Sequence, residues 1–348
     1  MRVLIVDGGD RTPYLSRLVA RLAASGLTMH YAADPAYKDF AALERDKVSC
    51  HGIEIRSKLD FRARRRIRRL LREHKIDILH TMTGRDAYVG MRARGFFKRK
   101  DLRLIVRRGA YPRFDPLDRW LYGRLGADVI IAVSEDLRRF MIGKGVPESR
   151  VTAVYTGIWS EELKAERRDL RKEHGVKPDA VLLGVAGALR WVKGFDDLLA
   201  AMRILKERKV PVHLLVAGDG YEGVRGQAEG LDVTFVGHLP GILGFTPNLD
   251  CLVVPSRLDA LPRVAIEATV LGTPVVATRV GGIPEILDDG RAGVLVRPGD
   301  PGDLAGALEG AAREPQRMRA LADRALTRNR ELFSLERCVA RHKGIYGT

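Results

Sequence analysis

Residues 255–285 read PSRLDALPRVAIEATVLGTPVVATRVGGIPE, and the order of chemistry in this stretch decides the fold. Asp259 stands in a loop-like run, and Glu267 follows eight positions later inside a helical pattern that opens at Pro262. An apolar strand over 274–278 comes next, and Gly281–Gly282 turn the chain after it. A helix feeding a continuous apolar strand is the repeating unit of a parallel sheet covered on both faces. Pro262 fits the first helical position, where its missing N–H costs little. The amides of Arg263 and Val264 then point out of the helix end, where an anion is stabilised. Two carboxylates around a helix start can hold the hydroxyls of a sugar and a ribose, and the amides between them can hold a diphosphate. The stretch reads as a sugar-nucleotide site.

The same alternation extends in both directions. Strand patterns fall at 181–186, 212–217, 233–236, 251–254, 275–277 and 294–296, with helices over 196–208 and 262–271 between them. Upstream, strands are expected at 3–6, 29–32, 76–79, 104–106, 129–133 and 151–154, with helices over 14–24, 61–74 and 135–142. The pattern predicts an α/β protein of two doubly wound, Rossmann-like domains, with ligands at the carboxyl ends of the strands. Residues 160–177 are charged and lack strand patterning. The expected domains are therefore 1–160 and 161–332, with a final helical stretch, 333–348, crossing back onto the first.

A chain of 348 residues accommodates two such domains. No apolar run approaches the roughly 20 residues of a membrane-spanning helix, and MRVLIVDGGD reads as a buried first strand rather than a secretion signal. Cys50, Cys251 and Cys338 are far apart, as reduced thiols of a cytosolic protein would be. The net charge of +16 is lopsided: residues 1–160 hold 33 Lys and Arg against 18 Asp and Glu, whereas residues 161–348 are nearly neutral. The first half therefore expects an anionic partner: a membrane surface, a phosphorylated acceptor or a nucleic acid. No nucleic-acid-binding module is recognisable, so nucleic acid is not the expected partner.

Further motifs mark the second half. Gly187–Gly194 reads GALRWVKG, a glycine-flanked loop carrying Arg190 and Lys193, two cations able to meet one diphosphate. Gly218-Asp219-Gly220 follows a strand, Pro255-Ser256 ends another, and Gly281, Gly282 and Glu285 form a Gly-Gly-x-x-Glu element. Together these resemble the retaining glycosyltransferases of family 4, which have the GT-B fold and include bacterial phosphatidylinositol mannosyltransferases and lipopolysaccharide-core glucosyltransferases. The resemblance implies two Rossmann-like domains facing a cleft. It implies a nucleoside-diphosphate sugar donor, guessed as a UDP-sugar, and transfer without a metal or other cofactor. It also implies a lipid-linked, lipopolysaccharide or glycan acceptor at the inner face of the cell membrane. Asp259, Glu267, Arg190 and Lys193 become the expected catalytic set. Gly8, Gly9, Gly187, Gly220, Gly237, His238, Leu239, Ala260, Leu261, Pro262, Arg263 and Val264 become the expected donor-binding set. The sequence departs from the family in two places here: Asp259 stands where a glutamate is usual, and the usual phosphate arginine position is Ala188, with an arginine two residues on.

GDGYEG at 218–223 also spells a Gly-x-Gly-x-x-Gly turn. It follows an internal strand, and the next strand ends in Gly237-His238 with no acid, so a dinucleotide site is not expected. In the first half, Gly8-Gly9-Asp10 ends the first strand, where glycine allows close backbone approach to the donor diphosphate. His80 and Arg85 are placed at the cleft edge as acceptor candidates, although His80 equally suits a structural histidine. Arg108 occupies the position before Gly109 where the family often has a histidine, and Arg107 and Arg108 are candidates to hold an acidic acceptor or the donor phosphate. Phe61–Arg72 carries seven arginines around Phe61, Ile67, Leu70 and Leu71, and a second cluster spans Arg92 to Lys100 with Phe96 and Phe97. Both suit an anionic bilayer, although the first equally suits a helix packing its apolar side on the sheet. The alternative readings are an epimerase-like sugar-nucleotide enzyme on the same fold, a basic nucleic-acid-binding protein, and a catalytically silent scaffold.

Overall fold

The computed structural model describes residues 1–9, 13–95, 101–123, 126–158, 168–188, 190–220, 225–239 and 243–347. The chain divides into two compact units. Unit 1 is Met1–Gly157 with Leu335–Thr348, and unit 2 is Ile158–Ser334. The expected linker over 160–177 lies partly outside the described residues; its second part holds a short helix, Leu170–Glu173, of unit 2.

Unit 1 is a seven-stranded parallel sheet. Its strands are β1 (Arg2–Asp7), β2 (Thr28–Ala33), β3 (Ser49–Gly52), β4 (Ile78–Thr81), β5 (Arg103–Arg108), β6 (Val129–Ala132) and β7 (Val151–Ala153). The order is β3-β2-β1-β4-β5-β6-β7. Unit 2 is six-stranded and parallel: β8 (Val181–Ala186), β9 (Val212–Ala217), β10 (Val233–Gly237), β11 (Cys251–Val254), β12 (Val275–Thr278) and β13 (Val294–Val296). Its order is β10-β9-β8-β11-β12-β13. In each unit the order reverses beside the first strand. The crevices at β1/β4 and β8/β11 are therefore the points where a doubly wound sheet opens to ligands.

The apolar runs fill the cores. Val3, Leu4, Ile5, Leu79, Leu104, Ile105 and Ile130 are fully buried in unit 1, as are Leu183, Leu198, Leu214, Leu252 and Val276 in unit 2. Two readings of unit 1 change. β3, Ser-Cys-His-Gly, has no apolar run to announce it. β4 begins at Ile78, two residues later than expected, so His80 lies inside the strand. The helix Phe61–Glu73 starts on Asp60, whose carboxylate accepts from the Ala63 amide at 2.9 Å. It buries Ile67, Leu70 and Leu71 against the unit and leaves Phe61 exposed. Its apolar stripe is a core face, while Phe61, Glu73 and most of its arginines look outward, next to the exposed Leu59 just before it. The second basic cluster's Phe96–Lys100 lies outside the described residues. The helix Leu335–Tyr346 belongs to unit 1, where it buries Leu335, Cys338, His342 and Tyr346. No described helix is long and apolar enough to cross a membrane.

Candidate active site

In unit 2 the connections leaving β8 and β11 are locked together. After β8 the chain passes Gly187 (φ 142°), makes a single turn over Trp191–Lys193 and reaches Gly194 in the left-handed region (φ 64°, ψ 29°). A Cβ on Gly194 would lie 1.9 Å from the carbonyl oxygen of Pro255, so glycine is required there by both its conformation and the close approach. The Arg257 amide donates to the Val192 carbonyl at 2.8 Å. Its guanidinium donates to Asp197 at 2.7 Å and Asp196 at 3.1 Å, and it stands 5.0 Å from the Trp191 ring. From the other side, Thr278 Oγ1 donates to the Ser256 carbonyl at 2.5 Å, and the Gly282 amide donates to the Ala260 carbonyl at 3.1 Å.

This bracing places Lys193 Nζ 2.5 Å from Asp259 Oδ2, with Lys193 39% and Asp259 13% exposed. The pair is half-buried, with Lys193 the more open of the two, so its net contribution to stability is modest. It does hold a cation and a carboxylate at the mouth of the β8/β11 crevice. Arg190, three residues before Lys193, is exposed, and its guanidinium has no ion-pair partner among the described residues.

The helix after β11 runs Arg263–Val270. Pro262 is its N-cap rather than its first helical residue: its φ of −68° is helical, but its ψ of 112° is extended. The Ala265 and Ile266 amides both reach back to the Pro262 carbonyl, and no side chain caps the helix. The Val264 amide has no acceptor among the described residues, as an anion-receiving helix start requires. Glu267 is 9% exposed, one turn into this helix between the buried Ile266 and Ala268. Ala260, Leu261 and Pro262 are buried and shape the turn; Arg263 is exposed.

Neighbouring strand ends complete the rim. The Gly187 amide donates to the Ala217 carbonyl at 2.9 Å and the Gly218 amide to the Gly237 carbonyl at 2.8 Å, so the ends of β8, β9 and β10 are stitched together. Gly220 and Gly237 take positive φ (95° and 74°). His238 Nδ1 lies 3.1 Å from Asp219 Oδ2, both side chains being well exposed, and Leu239 follows half-buried. Leu189 and residues 221–223 of the GDGYEG turn lie outside the described residues.

The matching crevice of unit 1 is built otherwise. The Gly8 amide donates to Asp86 Oδ2 at 3.0 Å, and the Gly9 amide donates to Asp7 Oδ1 at 3.1 Å. The amides of both glycines expected near the donor diphosphate are thus taken by the unit's own carboxylates; Asp10 lies outside the described residues. Asp86 also accepts from the Thr83 amide, while Thr83 caps the helix Gly84–Arg94. Asp86 is fully buried, and burial, the chief cause, pushes its carboxyl up to about 6. Arg85 is exposed and spans the Gly8 and Arg56 carbonyls.

The acceptor residues scatter. His80 is fully buried, with Nδ1 2.8 Å from the Tyr346 hydroxyl, and burial drives its pKa well down. It packs the core against the C-terminal helix and does not stand at an edge, because β4 runs on through it. Arg107 donates to Thr156 Oγ1 and lines a small cavity with Met82, Cys338 and His342. Arg108, next along the strand, turns to the opposite side, against Gly84 and the Tyr122 ring. Successive strand residues face opposite ways, so these two arginines cannot share one ligand group.

Sequence reasoning missed Arg257, Asp196, Asp197, Thr278 and Asp86. Three carried a signal: Asp196-Asp197, two and three residues after Gly194, mark an acidic helix start, and Thr83 with Asp86 three residues on is a capping box. Arg257 and Thr278 carried none, since their partners are distant in the chain.

Two parallel, doubly wound sheets of this order are the Rossmann-like units of the GT-B fold. Family comparison agrees: residues 13–162 match the model "Glycosyltransferase Family 4", and residues 180–314 match "Glycosyl transferases group 1". The chain belongs to the family-4 glycosyltransferases. It is 33% identical over 200 residues to D-inositol 3-phosphate glycosyltransferase 2 of Catenulispora acidiphila, covering 52% of this chain and 47% of that protein. The chain thus spans about half the length of that curated relative. Among solved structures, Anabaena Alr3699/HepE in complex with UDP-glucose superposes with a TM-score of 0.82 at 21% identity over 100% of both chains. WaaG, a glycosyltransferase involved in lipopolysaccharide biosynthesis, gives 0.72 at 16% identity, also over 100% of both.

Proposed function

We propose that this protein transfers a sugar from a nucleoside diphosphate, most simply UDP, to a glycolipid or glycan acceptor, with retention at the anomeric carbon and without a metal. The observation that carries this reading is the Lys193–Asp259 pair beside the uncapped start of Arg263–Val270 at the β8/β11 crevice. The bond between the anomeric carbon and the diphosphate breaks as negative charge grows on the leaving phosphate. Lys193, Arg190 and the Val264 amide stabilise that charge. Asp259 orients sugar hydroxyls, and Glu267 holds the ribose. The acceptor oxygen bonds to the face that the diphosphate leaves, and the departing phosphate oxygen takes the acceptor proton. No side-chain base is needed, in keeping with Arg108 at the position where the family often has histidine.

UDP-glucose bound to the Anabaena neighbour supports the donor class, and WaaG supports a lipopolysaccharide-type acceptor. The outward arginines of Phe61–Glu73, beside exposed Leu59 and Phe61, support docking on the anionic cytoplasmic face of a membrane. The test is thermal-shift screening with UDP-, GDP- and ADP-sugars in the presence of EDTA. One nucleotide class should raise the melting temperature, by about 2.7 kcal/mol of stabilisation at a hundredfold excess over Kd. No response to any of the three would reject the reading.

A further inference from the structure

We propose that unit 1 holds a binding site for a divalent transition metal of the zinc class, formed by His30, His51 and His74. These are three of the chain's eight histidines, and their ligand nitrogens all lie within 4.8 Å of one another. Each comes from a different element: His30 from β2, His51 from β3, and His74 from the C-cap of the helix Phe61–Glu73. In the β2/β3 register His30 faces Ser49 and Ala32 faces His51. The two histidines therefore sit diagonally on one face of the sheet, and the helix end brings the third to them.

The spacing suits a metal. His30 Nδ1 and His51 Nε2 are 3.1 Å apart. Two imidazole nitrogens bound at about 2.05 Å to a tetrahedral zinc lie roughly 3.3 Å apart, so this pair already has the separation of two ligands on one ion. A hydrogen bond between these two nitrogens accounts for His30 and His51, but not for His74. Its ring stands 4.4 Å from that of His30 and 5.2 Å from that of His51, with no hydrogen bond among the described residues. Drawing its nitrogen onto a shared ion takes a movement of about 1.5 Å, within reach of a half-exposed side chain at a helix end. Burial, followed by its two histidine neighbours, keeps the His30 ring neutral, as a ligand must be.

Imidazole donors select zinc, copper, nickel and cobalt over magnesium or calcium, and three of them leave a fourth position for water. The site has a structural use. β3 is the edge strand of its sheet, only four residues long, paired on one side to β2. A metal bound here clasps that strand to β2 and to the arginine-rich helix.

The experiment uses the full chain, stripped with EDTA and dialysed. Zinc binding is followed by calorimetry and cobalt binding by visible absorption, in the wild type and in His51→Ala, His74→Ala and the double variant. The wild type should take one equivalent of zinc, give the intense visible bands of low-coordinate cobalt, and melt higher with zinc. Each single variant should bind at least about tenfold more weakly, and the double variant should lose both the bands and the zinc-dependent shift. Equal zinc binding by the double variant, or a wild-type cobalt spectrum no different from the aquo ion, overturns the proposal. His51 and His74 are half-exposed, so their truncation leaves the core packed. Should either alanine variant fail to fold, the same comparison is made with His51→Gln and His74→Gln, with the same two outcomes deciding.

Discussion

The two crevices of this protein share a topology and differ in what fills them. At β1/β4 a buried carboxylate, Asp86, takes the Gly8 amide and the Thr83 amide, and the helix start beside it is fully capped. At β8/β11 the corresponding helix has no side-chain cap, and Lys193 and Asp259 satisfy each other while Lys193 stays partly open to solvent. One crevice has closed on an internal anion; the other keeps an anion-binding end available. A strand order thus shows where a ligand can bind, and the disposition of a few donors decides whether one does.

The largest expected effect is catalytic. Lys193→Ala or Glu267→Ala should lower sugar transfer by at least about 100-fold, the scale of losing a principal charge-stabilising group. Steady-state rates near wild type in either variant would erase the functional difference between the crevices. Next comes the pH response of the closed one. Asp86 in the unfolded chain ionises from about 3.8, but in the folded protein only from about 6. Its raised folded pKa makes stability fall as pH rises through that window and stay level on either side. Denaturant titrations should show wild type losing about 2 to 3 kcal/mol across it, whereas Asp86→Asn should lack that loss. An identical fall in the variant would assign the effect to another group.

Gly194→Ala tests the lock that holds the open crevice together. A left-handed alanine whose Cβ meets the Pro255 carbonyl should cost about 2 kcal/mol or more in chemical unfolding. A neutral substitution would show that the two connections are not tightly joined. The smallest effect sharpens the contrast most: Lys193→Ala should cost only about 1 to 2 kcal/mol of unfolding free energy, because its partner Asp259, 13% exposed, loses a hydrogen-bonded charge but keeps some access to water. A larger loss would make Lys193 a structural residue.

Much of unit 2 was legible because its strands are uninterrupted apolar runs bounded by glycine and proline. β8, β9, β11 and β13 fall at the expected residues. Unit 1 was harder where its elements depend on tertiary partners. β3 is polar and exists because β2 offers it a ladder, and β4 slid two residues so that His80 could meet Tyr346 from the chain's far end. Pro262 moved one place, to the cap, since a proline's fixed φ suits either position and only ψ decides.

From its residues alone this chain determined two parallel sheets, a cationic first half and a carboxylate-bearing loop and helix after β11, because apolar periodicity and charge are local properties. Folding decided that Lys193 meets Asp259, that Gly8 serves Asp86 rather than a ligand, and that three histidines from separate elements gather at one edge. Each of those depends on groups distant in the chain arriving within a few ångströms, and that distance is set by packing.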